Sequence, residues 1–434
     1  MEHEVETTAA ERERRRKMRE AMQRKREHQQ KIALGIIALA AVLLIVLIAR
    51  GCSGSRRRQE QTQSEKEAAQ QAVRTEVLPV KVTLAAVGDI MCYGDQIDDA
   101  AQKDGSHDFS PSFTAISPYL QAADLTVGNL ELNFVGPNEK YQGYPSFRAP
   151  ESLAGTLANA GFDILQTANT YSVQNGLNGL NSTIRYLTEN NIAHLGTYYL
   201  ESEKKQDEGV LIRNISGIKF AFIGYTKGVN NMTLPEQAPY CVDLLYKDYS
   251  TTYSEVNEDA LLASVKAAKN RHADVIVAML HWGGEFDLQP TESQEAIADL
   301  LFQNGVDVIL GSHSHEVGPM ETRTVTVDGK QKKVLVAYSL GNFFSSMTKG
   351  TSQASCILNL DFSLDPETGA CGLSGASYLP VYIADKGEDA DLRYEVLPIR
   401  SAIQSGLFPD LTDEMEQAID DLASQTGSSL DNGK

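Results

Sequence analysis

Four short apolar runs in this chain each end on residues with chemistry to offer, and that pattern limits the fold more than any other feature. Val82 to Val87 (VTLAAV) leads into Gly88-Asp89, and Val275 to Leu280 (VIVAML) leads into His281-Trp282-Gly283. Val306 to Leu310 (VDVIL) leads into Gly311-Ser312-His313-Ser314-His315, and Val334 to Leu340 (VLVAYSL) into Gly341-Asn342. Runs this short, rich in Val, Ile and Leu and bounded by glycine, read as buried strands. Amphipathic stretches lie between them; Ser293 to Gln303 carries Ala296, Ile297, Leu300 and Leu301 at helical spacing. Strands alternating with helices predict an α/β fold, and in such folds ligands gather beyond the carboxyl ends of strands. Asp89, His281, His313, His315 and Asn342 are therefore expected to face one cleft. Two further runs, Asp124 to Val127 before Gly128-Asn129-Leu130-Glu131 and Phe162 to Gln166 before Thr167-Ala168-Asn169-Thr170-Tyr171, add Glu131 and Asn169.

Carboxylates and imidazoles without thiolates suit a borderline or hard divalent ion such as Mn, Fe or Zn. One or two ions are expected, with Glu131 as the natural bridge between two. A pair of ions about 4 Å apart activates water and stabilises a leaving oxygen in hydrolysis. Alternation would put His313 and His315 on one side of the chain if the segment is extended. Each residue also has a simpler reading. A His or Asp at a strand end serves equally as a cap or hydrogen-bond partner, and Asp89 as a turn former after Gly88. Trp282, the only tryptophan, reads as packing. His194 and His272 sit beside apolar runs and read as structural. Cys92, Cys241, Cys356 and Cys371 read as separate small residues, with a Cys356–Cys371 pair open as the alternative outside the cell.

Ile32 to Ala49 is 18 residues without a charge, flanked by charged clusters, and reads as a membrane-spanning helix. Residues 1–31 hold 10 Lys/Arg against 7 Asp/Glu, which by the positive-inside tendency places them in the cytoplasm. Residues 50–80 read as an extracellular tether, rich in Gln, Glu and Ala. The main domain, residues 81–400, is then expected outside a single-pass cell-membrane anchor. The whole chain carries a net charge of -19, so the part beyond residue 31 carries -22. That balance argues against a nucleic-acid partner, which calls for a basic face.

The ordered set Gly88-Asp89-Ile90-Met91, Gly128-Asn129-Leu130-Glu131, His281-Trp282-Gly283-Gly284-Glu285, Gly311-Ser312-His313-Ser314-His315 and Ser339-Leu340-Gly341-Asn342-Phe343 resembles the CapA family of poly-γ-glutamate capsule synthesis proteins. That family is related to calcineurin-like metallophosphoesterases. The resemblance covers about residues 82–345 and includes Phe147-Arg148-Ala149-Pro150 and Ala160-Gly161-Phe162-Asp163. It implies a metallophosphoesterase-like β-sandwich flanked by helices, with a metal cleft at the strand ends. Carried over by position, Asp89 and His315 would bind one metal, His281 and His313 a second, with Glu131 between. The family reads Ala-Asn-Asn-His and then Asp-Tyr-Gly where this chain has Ala168-Asn169-Thr170-Tyr171 and then Gln174-Asn175-Gly176. Thr170 thus replaces an expected Asn ligand, and Tyr171 the His expected to act as acid or to hold the transition state. Tyr has a reference pKa near 10, far from the value best for acid–base work at neutral pH. Glu285 is the alternative acid or base, or else a hydrogen-bond partner behind the ligands.

The resemblance implies a role in synthesis, export or attachment of a cell-surface polymer, with that polymer or its synthesis machinery and the membrane as partners. Two other readings stay open: a scaffold with impaired turnover that binds polymer or a partner, and a surface phosphodiesterase. Beyond residue 345, Ala354 to Leu364 and Ser377 to Ile383 read as strands around a turn at Asp365 to Gly369. Residues 401–434 read as a helix, Asp410 to Ala423, and a tail, with Leu411, Met415, Ile419 and Leu422 on one face and Asp410 or Thr412 as cap.

Overall fold

The computed structural model describes residues 78–427 and residue 430. The expected cytoplasmic segment, the membrane helix, most of the tether and the end of the tail lie outside the described residues. Among the described residues no helix is long and apolar enough to cross a membrane.

Two mixed sheets form the frame. In spatial order the first is β16 (Tyr394–Pro398), β15 (Cys371–Asp385), β14 (Ala354–Leu364), β1 (Val80–Ile90), β2 (Leu125–Leu130), β5 (Ile164–Gln166) and β6 (Ala193–Leu195). The short β13 (Asn342–Phe344) also pairs with β1. The second is β11 (Met320–Val327), β12 (Lys330–Ala337), β10 (Val308–Ser312), β9 (Val275–His281), β8 (Ile218–Thr226) and β7 (Leu211–Ile215). A separate ribbon joins β3 (Asn133–Val135) to β4 (Arg148–Pro150). The centre of each sheet is parallel: β1 with β2 and β5 in one, β8, β9, β10 and β12 in the other.

Side-chain alternation sorts the residues into layers. Val82, Leu84 and Ala86 of β1 meet Phe220 and Phe222 of β8 and Val275, Val277 and Met279 of β9 in one central core. Phe220 and Phe362 meet edge to face across it at 5.1 Å. The intervening residues face outward. Ala85 and Val87 join Leu120, Leu153 and Leu157 of the helices over the first sheet. Ile276, Ala278 and Leu280 join Leu261, Val265, Ile297 and Leu301 of the helices over the second. The result is helices, sheet, sheet, helices. Both faces of each sheet are covered, which is why the strands read as continuous apolar runs. Each fully buried Phe or Leu contributes about 1.5–3 kcal/mol of transfer free energy.

The apolar run Val334 to Leu340 is two elements, not one strand. β12 stops at Ala337, the chain turns through Gly341 at φ 66°, and β13 continues in the other sheet with Asn342 opposite Asp89. This crossing brings backbone against backbone: a Cβ on Gly88 would lie 1.9 Å from the Gly341 carbonyl oxygen, so only glycine fits there. The Cys356–Cys371 alternative is overturned. Both thiols are free, and the register pairs Cys371 with Leu364, eight residues along β14 from Cys356. At about 3.4 Å per residue that separation is far beyond disulfide reach.

The C-terminal helix runs Thr412–Thr426 and buries Met415, Ala418 and Leu422 in the central core. Neither expected cap forms; the Thr412 hydroxyl donates instead to the Phe408 carbonyl. At its far end the Gln425 amide donates to Thr351 Oγ1 at 2.6 Å. Thr351 in turn donates its backbone N–H to the buried Glu316 carboxylate at 3.0 Å.

Candidate metal centre

The carboxyl ends of the two sheets meet at one cleft, and all five expected ligand residues stand in it, each at most 6% exposed. Two triads form. Asp89, Glu131 and His315 each offer a ligand atom within 4.8 Å of the others, and so do Glu131, His281 and His313. Glu131 belongs to both.

Sheet one supplies the oxygens. Asp89 is the penultimate residue of β1, and its backbone N–H donates to the Gly341 carbonyl at 2.8 Å. Glu131 follows β2 and is held by its own N–H on the Ile90 carbonyl at 2.9 Å. Asn129, two residues before it, donates its amide to Asp89 Oδ1 at 2.7 Å and to Glu131 Oε2 at 3.4 Å. It therefore spaces the two carboxylates.

Sheet two supplies the nitrogens. His281 ends β9, with Nδ1 2.9 Å from Ser312 Oγ and Nε2 3.4 Å from Glu131 Oε1. His315 Nδ1 lies 3.1 Å from Asp89 Oδ2 and 3.0 Å from Asn342 Oδ1. His313 packs its ring 4.6 Å from that of His281. The expected strand alternation of His313 and His315 does not occur. β10 ends at Ser312, and His313 and His315 take φ of 98° and 62°. The left-handed turns aim both rings at the cleft, at a cost on the order of 1–3 kcal/mol each. The His313 N–H donates to Asp89 Oδ2 at 3.2 Å, which ties this strained turn to the opposite sheet.

The Asn169-Thr170-Tyr171 segment resolves residue by residue. The Asn169 amide nitrogen donates to the Leu130 carbonyl at 2.6 Å and to Asn129 Oδ1 at 3.2 Å, while its own Oδ1 accepts from the Tyr171 N–H. Its polar atoms are thus spent on positioning. Thr170 reaches the cleft instead, with Oγ1 2.9 Å from His281 Nε2 and 3.4 Å from His313 Nδ1. Tyr171 is largely buried, its ring 4.5 Å from Phe147. Burial, then the charge of Glu131, pushes its hydroxyl upward, so it stays protonated at neutral pH. Glu285 lines a cavity of about 350 Å³ beside Thr170 and His313. Trp282 packs as expected, stacked on Tyr338 and donating to its carbonyl at 2.9 Å.

The electrostatics describe groups short of a cation. Burial and the neighbouring Asp89 charge push the Glu131 carboxyl well above its usual range. Burial, then the neighbouring rings and Lys227, holds His281 and His313 well below theirs, so both keep free lone pairs. For His315 burial opposes the charged ring, but the Asp89 hydrogen bond and the Glu131 and Asp89 charges prevail and lift it to about 9. Two buried carboxyl groups stand against two imidazoles held neutral and a third that Asp89 holds charged, and these nitrogen and oxygen donors in two triads fit borderline divalent ions. Asn129, Ser312 and Asn342 orient the groups that would ligate.

One residue at the cleft escapes the strand-end reading. Lys227 follows β8, and its backbone N–H donates to the His281 carbonyl at 2.7 Å. The signal was present in the sequence: Phe220 to Thr226 (FAFIGYT) is another apolar run that ends on a polar residue.

Residues 83–347 match the family model described as bacterial capsule synthesis protein PGA_cap. The capsule biosynthesis protein CapA of Bacillus anthracis is 29% identical over 291 residues, covering 64% of this chain and 64% of that protein. The PGA biosynthesis protein CapA of Bacillus subtilis (strain 168) is 25% identical over 265 residues, covering 59% of this chain and 61% of that protein. The match thus spans less than two thirds of the length of these relatives. Among solved structures, a 5'-nucleotidase precursor from Thermus thermophilus superposes with a TM-score of 0.41 at 12% identity, covering 80% of this chain and 59% of that one.

Proposed function

The chain belongs to the family of bacterial capsule synthesis proteins, PGA_cap, and from that premise we propose that it is a metal-dependent hydrolase or transferase. It acts on a cell-surface polymer of the poly-γ-glutamate type, during synthesis, export or attachment. The observation that carries this reading is the pair of buried ligand triads sharing Glu131. The uncharged stretch from Ile32 to Ala49 supports a membrane anchor with the domain on the outer side.

Asp89, Glu131 and His315 would hold one ion, and Glu131, His281 and His313 another. A divalent ion bound there would acidify water and polarise a carbonyl or phosphoryl oxygen. The chain's own groups do the positioning. Ser312 holds His281 through Nδ1 and leaves its Nε2 toward Glu131, while Asn342 and Asp89 both hold His315 through its Nδ1. Thr170 places a neutral hydroxyl between His281 and His313. Tyr171, kept protonated, serves as a donor and not as a base. Glu285 contributes the carboxyl group of the adjoining cavity.

Metal content of the full chain by elemental mass spectrometry, followed by a chain-length assay on poly-γ-glutamate with Mn, Fe or Zn, tests this reading. Bound metal with metal-dependent shortening supports it; a chain that takes up none of these ions overturns it. The inability of Tyr171 to act as a base favours a second reading, in which the cleft binds polymer without turning it over. Bound metal and polymer binding without cleavage would select that one. A parallel assay on a small phosphodiester separates both from a surface phosphodiesterase.

A further inference from the structure

Lys227 is a half-buried cation at the edge of the candidate metal centre. Its ammonium donates to the Gly283 carbonyl at 2.5 Å and stands 4.7 Å from the centre of the Tyr253 ring. Burial lowers its pKa against the opposing charges of Glu285 and Asp287, and among the described residues it makes no ion pair. An ammonium has three donors and no acceptor. One of the three is used here, and the charge faces the 350 Å³ cavity that it shares with Thr170, Asn231, Tyr253, Glu285 and His313.

The loop that carries it is held in place before any ligand arrives. A Cβ on Gly228 would lie 2.5 Å from the Tyr249 carbonyl oxygen, so the chain passes where no side chain fits. Asn230 and Asn231 follow with φ of 54° and 56°, a conformation Asn tolerates better than most residues. Asn230 donates to Gln174 Oε1 at 2.8 Å, and the Tyr253 hydroxyl donates to Asn231 Oδ1 at 3.0 Å. Gln174 thus does a job here that the sequence gives no hint of: it anchors the lysine loop.

We propose that Lys227 is a specificity-determining residue that holds an oxyanion of the substrate beside the bond presented to the metal centre. The cavity opens onto His313 and Thr170, so a group bound by Lys227 sits next to whatever the second triad would contact. A partly desolvated cation with two free donors is unfavourable until an oxygen acceptor with negative charge completes it. The loaded centre reinforces the preference, because the Asp89 and Glu131 carboxylates offset only half the charge of two divalent ions. The ligand class is an acidic substrate whose anionic group neighbours the scissile linkage. A carboxylate of a polymer unit and a phosphoryl group share this chemistry. The inference rests on the metal-centre reading above.

The test uses the full chain, wild type, Lys227→Met and Lys227→Arg. Metal content is measured first, and then binding of glutarate and of inorganic phosphate to the Mn-loaded proteins by titration calorimetry. Equal metal content in all three is expected, and it also serves as the folding control. Lys227→Met should lower affinity for the preferred anion about tenfold or more, and Lys227→Arg should recover most of it. The anion that shows this dependence identifies the carboxylate or the phosphoryl source. Equal affinity in wild type and Lys227→Met, failure of Arg to recover it, or no binding of either anion by loaded wild type overturns the role of Lys227 and leaves the metal centre standing. Absence of metal from wild type removes the metal-centre reading, and this inference falls with it.

Discussion

The two sheets bring opposite chemistry to one cleft by opposite means. The first contributes oxygens, Asp89 and Glu131, from the ends of parallel strands whose pairing shifts register just before Asp89 and which Asn129 stitches together. The second contributes nitrogens, and for His313 and His315 it does so from left-handed turns beyond the strand. Extended strand ends give position without left-handed backbone. Strained turns give direction at a cost, and they persist only where the surroundings over-determine them. Here the Asp89 carboxylate, which accepts from the His313 N–H, and the Asn342 Oδ1 beside His315 provide that constraint, and both come from the first sheet. Neither half completes a triad by itself, because each triad takes its carboxyl groups from one sheet and its imidazoles from the other.

This division can be broken most completely from the second sheet. His313→Ala combined with His315→Ala removes a nitrogen from each triad and should abolish bound metal, read by elemental mass spectrometry. Metal content equal to wild type would show that the ligands are elsewhere. Loosening the contact between the sheets is the next largest effect. Phe220→Ala empties a site in the central core and should cost about 3–5 kcal/mol in urea unfolding. Metal affinity should weaken with it, and stability lost without any change in metal affinity would show that the halves do not depend on their packing. Thr170→Asn with Tyr171→His sharpens the first-sheet side instead. Restoring an acid–base group should raise polymer cleavage about a hundredfold, measured as chain shortening, and no gain would place the limit outside this segment.

The smallest effect lies at the far end of the second sheet, away from the cleft. Asp307 is fully buried, accepts from the Ile276 N–H at 2.8 Å and pairs with Lys332 at 2.8 Å. Burial raises its carboxyl, and Lys332 opposes that without cancelling it. The folded chain therefore keeps this proton to higher pH than the unfolded chain does. Stability from this group is present below the unfolded value of about 4 and is lost as pH rises above it. Asp307→Asn should flatten that decline above about pH 4 in urea unfolding. A decline as steep as in wild type would assign it to other groups.

The sequence was legible where burial imposed a pattern. Apolar runs ending on Asp89, His281 and Ser312 marked the strands of a two-faced, covered sheet, because residues buried on both sides leave no polar alternation. Asp89, Glu131 and His281 were legible for the same reason, since a strand end fixes where the next side chain goes, whereas His313 and His315 were legible only as imidazoles beyond a strand. What lay beyond was backbone geometry decided by tertiary contacts. Nothing in Gly311-Ser312-His313-Ser314-His315 reveals that the chain leaves extended conformation after Ser312. Nor does Val334 to Leu340 reveal that the chain changes sheets at Gly341, a step set by its close approach to Gly88. Lys227 was missed although its preceding run obeyed the same rule, because a lysine after a strand also reads as an ordinary solvated end.

The contact from Gln425 through Thr351 to Glu316 has a consequence in time. A ribosome that has passed residue 315 has already made every ligand of the cleft. It has not yet made the helix that braces the residue next to His315. Gln425 is thus the last residue of this contact to be synthesised, and a chain ending before it would keep all five cleft residues without that brace.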